Sequence, residues 1–295
     1  MFILRKESLS VEISEPGVDY RGTRFDWSGV FHRIVKDGYV YVDRWSDVED
    51  IYVHDHVRGP VEEFVTVDFN GIKPGDTFVK PGVGLLLRPD DKPYDWFRLY
   101  PIADEGQRDV NVSASAIIFR HILKGIYSYE KKIELLSGDT MRIAHRMTWE
   151  ATSPLEGYSY NHNFFTFGGT LIGPGRKIDF PYTPTGNWRS EYDNVALEGN
   201  GIRFSAPVIP PSVYMGDLHS ANGSTPYSFR ISENEPYGGN MHSVNVCGSR
   251  TLHHVVFWAN PRVACVEPYM PIRLGKGESA EWDILYTFNS FRQAQ

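Results

Sequence analysis

The feature that most constrains the fold is an alternation of apolar and polar residues with a period of two, repeated on both sides of short turns. It is clearest over residues 127–149, where two alternating runs flank a turn at 137–139, and Lys131 is the exception on the apolar face. Successive side chains of a β-strand point to opposite faces of a sheet, so each run has one face suited to burial. Two such runs around a glycine turn predict a pair of antiparallel strands.

A second alternating run covers residues 279–289 at the end of the sequence, with Leu285 as its exception. No window shows a long apolar stripe with the 3.6-residue period of a helix. The 27 Gly and 19 Pro residues interrupt the chain every few residues, as in sandwiches and barrels. We therefore predict an all-β fold, a large antiparallel β-sandwich forming one domain over residues 1–295. The Gly-, Pro- and Asn-rich stretches 168–201 and 216–240 are interpreted as long polar loops.

Charge and composition exclude several classes of partner. The formal net charge is -7 and the basic residues are scattered, so a nucleic-acid partner is not expected. No apolar run of about 18 residues predicts a membrane span. Two cysteines, Cys247 and Cys265, are too few for a disulfide scaffold or a four-cysteine zinc site. These features favour a cytoplasmic protein that is a monomer or a weak homodimer.

His162 is the first candidate for chemistry. It lies in a strand-like aromatic run, residues 158–165, with Asn161 and Asn163 on either side. One interpretation is a core histidine bonded to the backbone. However, asparagine is depleted in strands and needs hydrogen-bond partners when it is buried. Three adjacent hydrogen-bonding side chains therefore favour a polar pocket.

Glu267 is the second candidate. It stands between an apolar run, residues 264–266, and a proline, so its carboxylate is expected to be partly buried. Burial raises the pKa of a carboxylate and makes it a better base near neutral pH. The alternative is an ion pair at a strand end with Arg262 or Arg273.

Other histidines and glycine runs are weaker candidates. His54 and His56 have a spacing that would place both on one face of a strand, but no further ligands are in view, so no metal site is predicted. His145 lies on an apolar strand face and is interpreted as a core histidine. The glycines at 168–175 lack the strand–loop–helix context of a nucleotide site.

Three segments together give the chain a family resemblance. They are the histidine run Asn161-His162-Asn163-Phe164-Phe165, the hairpin strand Thr140-Met141-Arg142-Ile143 before it, and the glutamate segment, which comprises Val266-Glu267-Pro268 followed by Pro271-Ile272-Arg273-Leu274-Gly275-Lys276-Gly277-Glu278. In their chain order, and with 267 - 162 = 105 residues separating the histidine from the glutamate, they resemble the aldose 1-epimerase (galactose mutarotase-like) superfamily. The resemblance covers most of residues 110–290.

The resemblance implies a fold and a mechanism. The fold is a β-supersandwich of two large twisted antiparallel sheets, with a sugar bound on a concave face. Glu267 would be the general base on the anomeric hydroxyl, and His162 the general acid that protonates the ring oxygen. Histidine and a desolvated glutamate can both exchange protons near neutral pH. No metal and no cofactor is required, and the implied partner is a hexose or a related small carbohydrate.

The sugar-holding residues depart from the family pattern. Familiar members carry an arginine-rich segment and a His-Gly-Gly segment upstream, and residues 21–27 and 59–64 stand roughly in their place. The family's second upstream histidine is either replaced by His121 or has no counterpart in this sequence. Candidate sugar contacts, chosen by residue type, are Arg24, Glu63, Arg98, Asn161, Asp217 and Trp258, with Asp217 matched to the family's binding aspartate.

Two further functions stay open from the sequence. The first is a sandwich that binds carbohydrate without turnover, since a fold does not fix a function. The second is a carbohydrate lyase, which would need an arginine facing the carboxylate of a uronate, for which Arg24 and Arg98 are the candidates.

Overall fold

Twenty-three β-strands dominate the computed structural model, which describes residues 1–66, 68–234 and 239–292. In chain order the strands are β1 Phe2–Lys6, β2 Leu9–Ile13, β3 Phe31–Lys36, β4 Tyr39–Val42, β5 Val61–Thr66, β6 Thr77–Lys80, β7 Gly84–Leu87, β8 Ile102–Asp104, β9 Gln107–Val112, β10 Ala116–Leu123, β11 Tyr127–Leu135, β12 Thr140–Trp149, β13 Leu155–His162, β14 Arg176–Asp179, β15 Pro184–Trp188, β16 Val195–Glu198, β17 Gly201–Phe204, β18 Val213–Ser220, β19 Thr225–Asn234, β20 Asn240–Leu252, β21 His254–Ala259, β22 Ala264–Leu274 and β23 Ser279–Arg292. The helices among the described residues are three short 3₁₀ turns, His54–His56, Asp68–Gly71 and Phe167–Gly169. None of them is long and apolar enough to cross a membrane.

The strands form two large antiparallel sheets and two small ones. The ten-stranded sheet has the order β16-β17-β14-β19-β20-β23-β12-β11-β10-β9, and the six-stranded sheet has the order β15-β18-β21-β22-β13-β5. Strands β1 to β4 form a four-stranded sheet, and β6 to β8 a three-stranded sheet. The predicted all-β antiparallel architecture is confirmed.

The alternation in the sequence corresponds directly to burial. Along β11 and β12 every second side chain is buried, with Tyr127 opposite Trp149 in the pairing. The inward side chains of the two large sheets meet in one core cluster, for example Ile143 and Ile284 from the larger sheet and Phe257 and Val266 from the smaller. Burying a large apolar side chain contributes about 1.5–3 kcal/mol, so this core holds the two sheets face to face.

A second apolar cluster covers part of the outer face of the six-stranded sheet. Its residues come mainly from the segments that follow β2 and β4 and from the part of the chain between β5 and β8, including Phe25, Trp45 and Tyr100, and they pack on Phe164 and Cys265. The outer face of this sheet is therefore partly roofed, and a cavity lies between the roof and the strands.

The interpretation of residues 168–201 and 216–240 as long loops is wrong for the part that the structure describes; residues 235–238 of the second stretch lie outside it. The first stretch contains β14, β15 and β16, and the second contains most of β18 and all of β19. The strands β14, β15 and β16 are only four to five residues long, whereas β18 has eight and β19 has ten. Some of the glycine and proline residues lie inside these strands, such as Pro184 and Gly186 in β15 and Pro226 in β19, and the neighbouring strands supply the hydrogen bonds that the local sequence does not predict. That the whole chain forms one domain stays a prediction.

Candidate active site

Two neighbouring strands, β13 and β22, bring His162 and Glu267 together. In their ladder Tyr158 pairs with Pro271 and Ser159 with Met270. The same register carried three residues further sets His162 opposite Glu267. Past Ser159 the side chain of Asn163 spans the strands, because its amide donates to the carbonyl oxygen of Val266 at 2.7 Å.

The two side chains touch in a buried position. His162 Nε2 lies 3.1 Å from Glu267 Oε1, and each residue is 5% exposed. The His162 ring stacks on Phe164, with 3.8 Å between ring centroids, and Phe164 stacks in turn on Trp45. This stack fixes the plane of the imidazole and leaves its Nε2 edge to Glu267. Neither Arg262 nor Arg273 pairs with Glu267, because they pair with Asp47 and Glu156.

Burial disfavours charge on both partners. It raises the pKa of Glu267 to about 8, with Arg24 opposing the rise and Glu63 adding to it. Burial, with the nearby charges of Arg24 and His54, lowers the pKa of His162 well below 6.5. The two shifts together favour a carboxylic acid beside a neutral imidazole, so near neutral pH the pair holds one titratable proton.

The pair opens into a cavity of about 470 Å³ on the outer face of the six-stranded sheet. Aromatic rings and a few polar groups are the lining expected for a small-molecule site. The lining residues are Arg24, Trp45, His54, Asp55, Trp96, Phe97, His162, Phe164, Arg189, Ser212, Tyr214, Val256, Trp258, Glu267 and Tyr269.

Arg24 is held in the cavity wall by a buried carboxylate. Its Nε donates to Glu63 at 2.8 Å, and its Nη2 donates to the Tyr160 hydroxyl at 3.1 Å. Glu63 is fully buried and also accepts a hydrogen bond from Lys80 Nζ at 2.8 Å. Two cations around one carboxylate leave a net positive charge next to Glu267.

Four of the eight sequence candidates line the cavity: His162, Glu267, Arg24 and Trp258. The other four, Glu63, Asn161, Arg98 and Asp217, lie elsewhere. Glu63 lies behind Arg24 and positions it. Arg98 makes two 2.9 Å bonds to Asp90 in an outer loop. Asp217 is exposed at a bulge of β18, with a φ of 50°.

Asn161 belongs to a buried polar cluster on the inner face of the same sheet. Adjacent strand residues face opposite ways, so Asn161 and Glu62 point into the sandwich while His162 and Glu63 point out. The Asn161 amide donates to Glu62 at 2.7 Å, and His145 Nε2 lies 3.0 Å from the same carboxylate. Lys131 forms an ion pair with the other oxygen. Burial opposes ionisation of Glu62, but Lys131 and His145 outweigh it and lower its pKa to about 2.

Most of the other residues that line the cavity are not predicted from the sequence. Tyr269 could have been found, because it is two residues beyond Glu267 on the same strand face. His54 was considered on a strand but lies in a 3₁₀ turn, and its ring packs against Phe97. Arg189 lies in the Gly- and Pro-rich stretch 168–201, whose composition predicts a loop, and Tyr214 has no local sequence signal that points to a site.

His121, the candidate for the second histidine, does not line the cavity. Its ring nitrogens lie 2.9 Å from the Glu105 carbonyl oxygen and from the Tyr127 hydroxyl. Across residues 1–66, 68–234 and 239–292 no group of three or more His, Cys, Asp or Glu side chains is arranged to hold a metal ion.

No protein-family model matches the sequence, and no curated protein matches it. Solved structures match along nearly its whole length. A candidate aldose 1-epimerase from Escherichia coli K12 is 14% identical, with a TM-score of 0.57 and 98% of each chain covered. A galactose mutarotase-like protein from Lactobacillus casei is 12% identical, with a TM-score of 0.57, and the match covers 98% of this chain and 100% of the Lactobacillus protein. A GalM/aldose epimerase homologue from C. elegans is 10% identical, with a TM-score of 0.52 and 98% of each chain covered.

At these identities the match establishes the fold. The chain has the galactose mutarotase-like β-sandwich fold that its sequence resemblance implied, as a divergent example.

Proposed function

We propose that this chain, on its galactose mutarotase-like fold, interconverts the anomers of a sugar by acid–base ring opening. The observation that carries the proposal is the 3.1 Å contact of His162 and Glu267 at the wall of an aromatic cavity. The anomeric oxygen and the ring oxygen of a sugar are bonded to the same carbon. Two proton-exchanging groups must therefore be adjacent if each is to reach one of these oxygens, and His162 and Glu267 are adjacent.

The reaction balances with the one proton that the pair holds. Glu267 as carboxylate accepts the proton of the anomeric hydroxyl while His162 as imidazolium donates a proton to the ring oxygen. The bond between the anomeric carbon and the ring oxygen breaks, and the anomeric carbon becomes an aldehyde. Rotation about the C1–C2 bond and the reverse proton transfers close the ring on the other face. Because burial leaves the resting proton on Glu267, it must first cross the 3.1 Å contact to His162.

Arg24 and the aromatic wall supply binding in this proposal. Arginine donors suit sugar hydroxyls and oxygens, and Trp258 offers an apolar ring face. Glu63, Tyr160 and Lys80 act as positioning residues, because Glu63 and Tyr160 hydrogen-bond to Arg24 and Lys80 hydrogen-bonds to Glu63.

The test is the rate at which freshly dissolved pure anomers of a panel of aldoses equilibrate, followed by polarimetry or NMR. We expect faster equilibration than in buffer for at least one aldose. Glu267→Gln and His162→Ala are each expected to lower that rate by about 10²–10⁴-fold, the usual contribution of a general acid or base. Circular dichroism checks that the variants are folded.

Matched controls come from the same sheet. Glu156→Gln changes a half-exposed carboxylate on β13, and His253→Gln changes an exposed histidine just before β21; both should keep wild-type rates. If no aldose equilibrates faster than in buffer, the proposal is wrong. Sugar binding measured by calorimetry without any rate effect would instead favour a non-catalytic binding protein.

A further inference from the structure

Three buried polar side chains that the proposed acid–base chemistry does not use meet between the two large sheets. They are Lys131 on β11, Glu62 on β5 and Asn161 on β13, and each is at most 2% exposed. The Lys131 ammonium is paired with one oxygen of the Glu62 carboxylate, and the Asn161 amide donates to the other oxygen at 2.7 Å. One buried carboxylate therefore holds an amine and a carboxamide.

The strand pairing fixes this arrangement. Asn161 lies directly opposite Glu62 in the ladder of β13 and β5, so both side chains point the same way into the sandwich. Lys131 reaches them from the facing ten-stranded sheet, where it is the exception on the apolar face of β11, and its Nζ also donates to the Ser28 carbonyl oxygen at 2.8 Å. A covalent bond between Lys131 and Asn161 would join the two large sheets.

The surroundings of the three side chains suit attack of the amine on the carboxamide. The Tyr227 hydroxyl donates to Oδ1 of Asn161 at 3.2 Å, where negative charge would develop as the attack proceeds. The ion pair of Lys131 and Glu62 is the starting form. A proton shift from the ammonium to the carboxylate removes two charges from a low-dielectric interior, so the neutral amine costs less to form there than in water.

We propose that Lys131 and Asn161 form an intramolecular isopeptide bond, with Glu62 as the proton-transfer group. Nζ of Lys131, after giving one proton to Glu62, attacks Cγ of Asn161 and forms the new carbon–nitrogen bond. Glu62 then passes its proton to Nδ2 and takes a second proton from Nζ. The bond between Cγ and Nδ2 breaks, and ammonia leaves. The last proton stays on Glu62, next to His145, and nothing is oxidised or reduced.

A second buried lysine–carboxylate pair shows what the reaction requires. Lys80 and Glu63 are also buried and lie 2.8 Å apart. However, the Glu63 carboxylate takes its other hydrogen bonds from Arg24 and from the Tyr160 hydroxyl. Neither of these partners is a carboxamide that can exchange its nitrogen, so the pair of Lys80 and Glu63 stays ionic.

The test is the intact mass of the purified full chain under denaturing conditions. We expect the wild type to be lighter than its sequence by one ammonia, and tryptic mapping to yield a branched peptide that joins the fragments carrying Lys131 and Asn161. Asn161→Ala keeps the ion pair but has no amide to attack, and Glu62→Gln keeps both reacting groups without the base. Both variants should have the full mass of their own sequences.

The matched control is Lys132→Met, because Lys132 is the next residue on β11 and pairs with Glu134 near the surface. It should keep the loss of one ammonia.

Cyclisation of an asparagine that precedes a glycine also releases ammonia, but its product stays within one linear peptide. The asparagines of this kind are Asn70, Asn200 and Asn222. The branched peptide distinguishes the two reactions. A wild type with its full sequence mass, a loss of ammonia without the branched peptide, or a loss that persists in Asn161→Ala would overturn the proposal.

Discussion

At the scale of single residues, the site depends on where one proton resides. Desolvation pushes the pKa of Glu267 up and that of His162 down, so the two groups hold one proton over a wide pH range. This proton is what ring opening needs, because one partner must donate while the other accepts. The apparent pKa values of activity belong to the pair and not to either residue.

A pH–rate profile follows from this sharing. Above about pH 8 Glu267 loses the proton that the pair must pass to His162, and kcat/KM is expected to fall up to tenfold per pH unit. Between pH 6.5 and 8 the rate should change little, because the imidazole stays neutral well below 6.5. Anomer exchange measured from pH 6 to 10 checks this. A rate that rises through pH 8 would contradict the shared-proton scheme, and His253→Gln should reproduce the wild-type profile.

Arg24 gives a second prediction at this scale. Its guanidinium uses separate nitrogens for Glu63 and Tyr160, which a lysine ammonium cannot match in geometry. We expect Arg24→Lys to raise KM by about tenfold or more with a smaller change in kcat, because the sugar-binding donors move while the acid–base pair remains.

Steady-state kinetics separates these two parameters for Arg24→Lys. Arg21→Lys is the control. Arg21 is only three residues before Arg24, but its side chain is exposed and pairs with Glu105. A fall in kcat with an unchanged KM would mean that Arg24 acts in the transition state and not in binding.

At the scale of elements, two strands use both faces for polar groups. β5 carries Glu62 toward the sandwich core and Glu63 toward the outer face, behind Arg24, and β13 does the same with Asn161 and His162. The inner cluster has no contact with the cavity, so its contribution is to stability and strand register. The sequence could not reveal this split, because the face that a polar residue occupies depends on which sheet covers it.

The prediction at this scale concerns Glu62, the carboxylate of the inner cluster. Glu62→Gln leaves the fully buried Lys131 without its anionic partner, and breaking a buried pair in this way costs about 3–5 kcal/mol of unfolding free energy. Urea unfolding at pH 7 measures the loss.

The double variant Glu62→Gln/Lys131→Met should regain much of the lost stability, because it removes the unpaired charge. Glu134→Gln is the control, since that carboxylate pairs with Arg142 and Lys132 near the surface and is worth about 1 kcal/mol or less. A single variant as stable as this control would show that Lys131 finds another partner.

The element scale also shows what the sequence can and cannot predict. Long strands with strict alternation, such as β11, β12 and β23, were predictable because their pattern is local. Short strands such as β14 and β15 were not, since their hydrogen bonds come from neighbours distant in sequence. The sequence predicts His162 and Glu267 as a pair, and Arg24 and Trp258 as sugar contacts. Arg189 and His54 also line the cavity, but no local sequence pattern marks them, because the tertiary fold alone brings them there.

At the scale of the whole molecule, the site opposes the stability of the fold. Glu267 has a folded-state pKa near 8 against 4.5 in the unfolded chain, so its contribution is favourable below 4.5 and is lost as pH rises toward 8. Buried histidines act in the opposite direction. Burial lowers the pKa of His121 to about 3 and also lowers that of His145, so their stability is present above 6.5 and is lost on acidification. Maximum stability should therefore lie near pH 6.5.

The last prediction concerns the alkaline side of that maximum. Between pH 6.5 and 8 Glu267 should cost the wild type roughly 2 kcal/mol of unfolding free energy, at about 1.4 kcal/mol per pH unit. Glu267→Gln is uncharged at every pH, so its stability should stay level over this window and exceed that of the wild type at pH 8. Glu156→Gln, a half-exposed carboxylate, should run parallel to the wild type. Urea unfolding at half-unit pH steps tests this. A wild-type stability that stays level to pH 8 would mean that the buried carboxylate ionises without an energetic cost. The assignment of one shared proton to His162 and Glu267 would then be wrong.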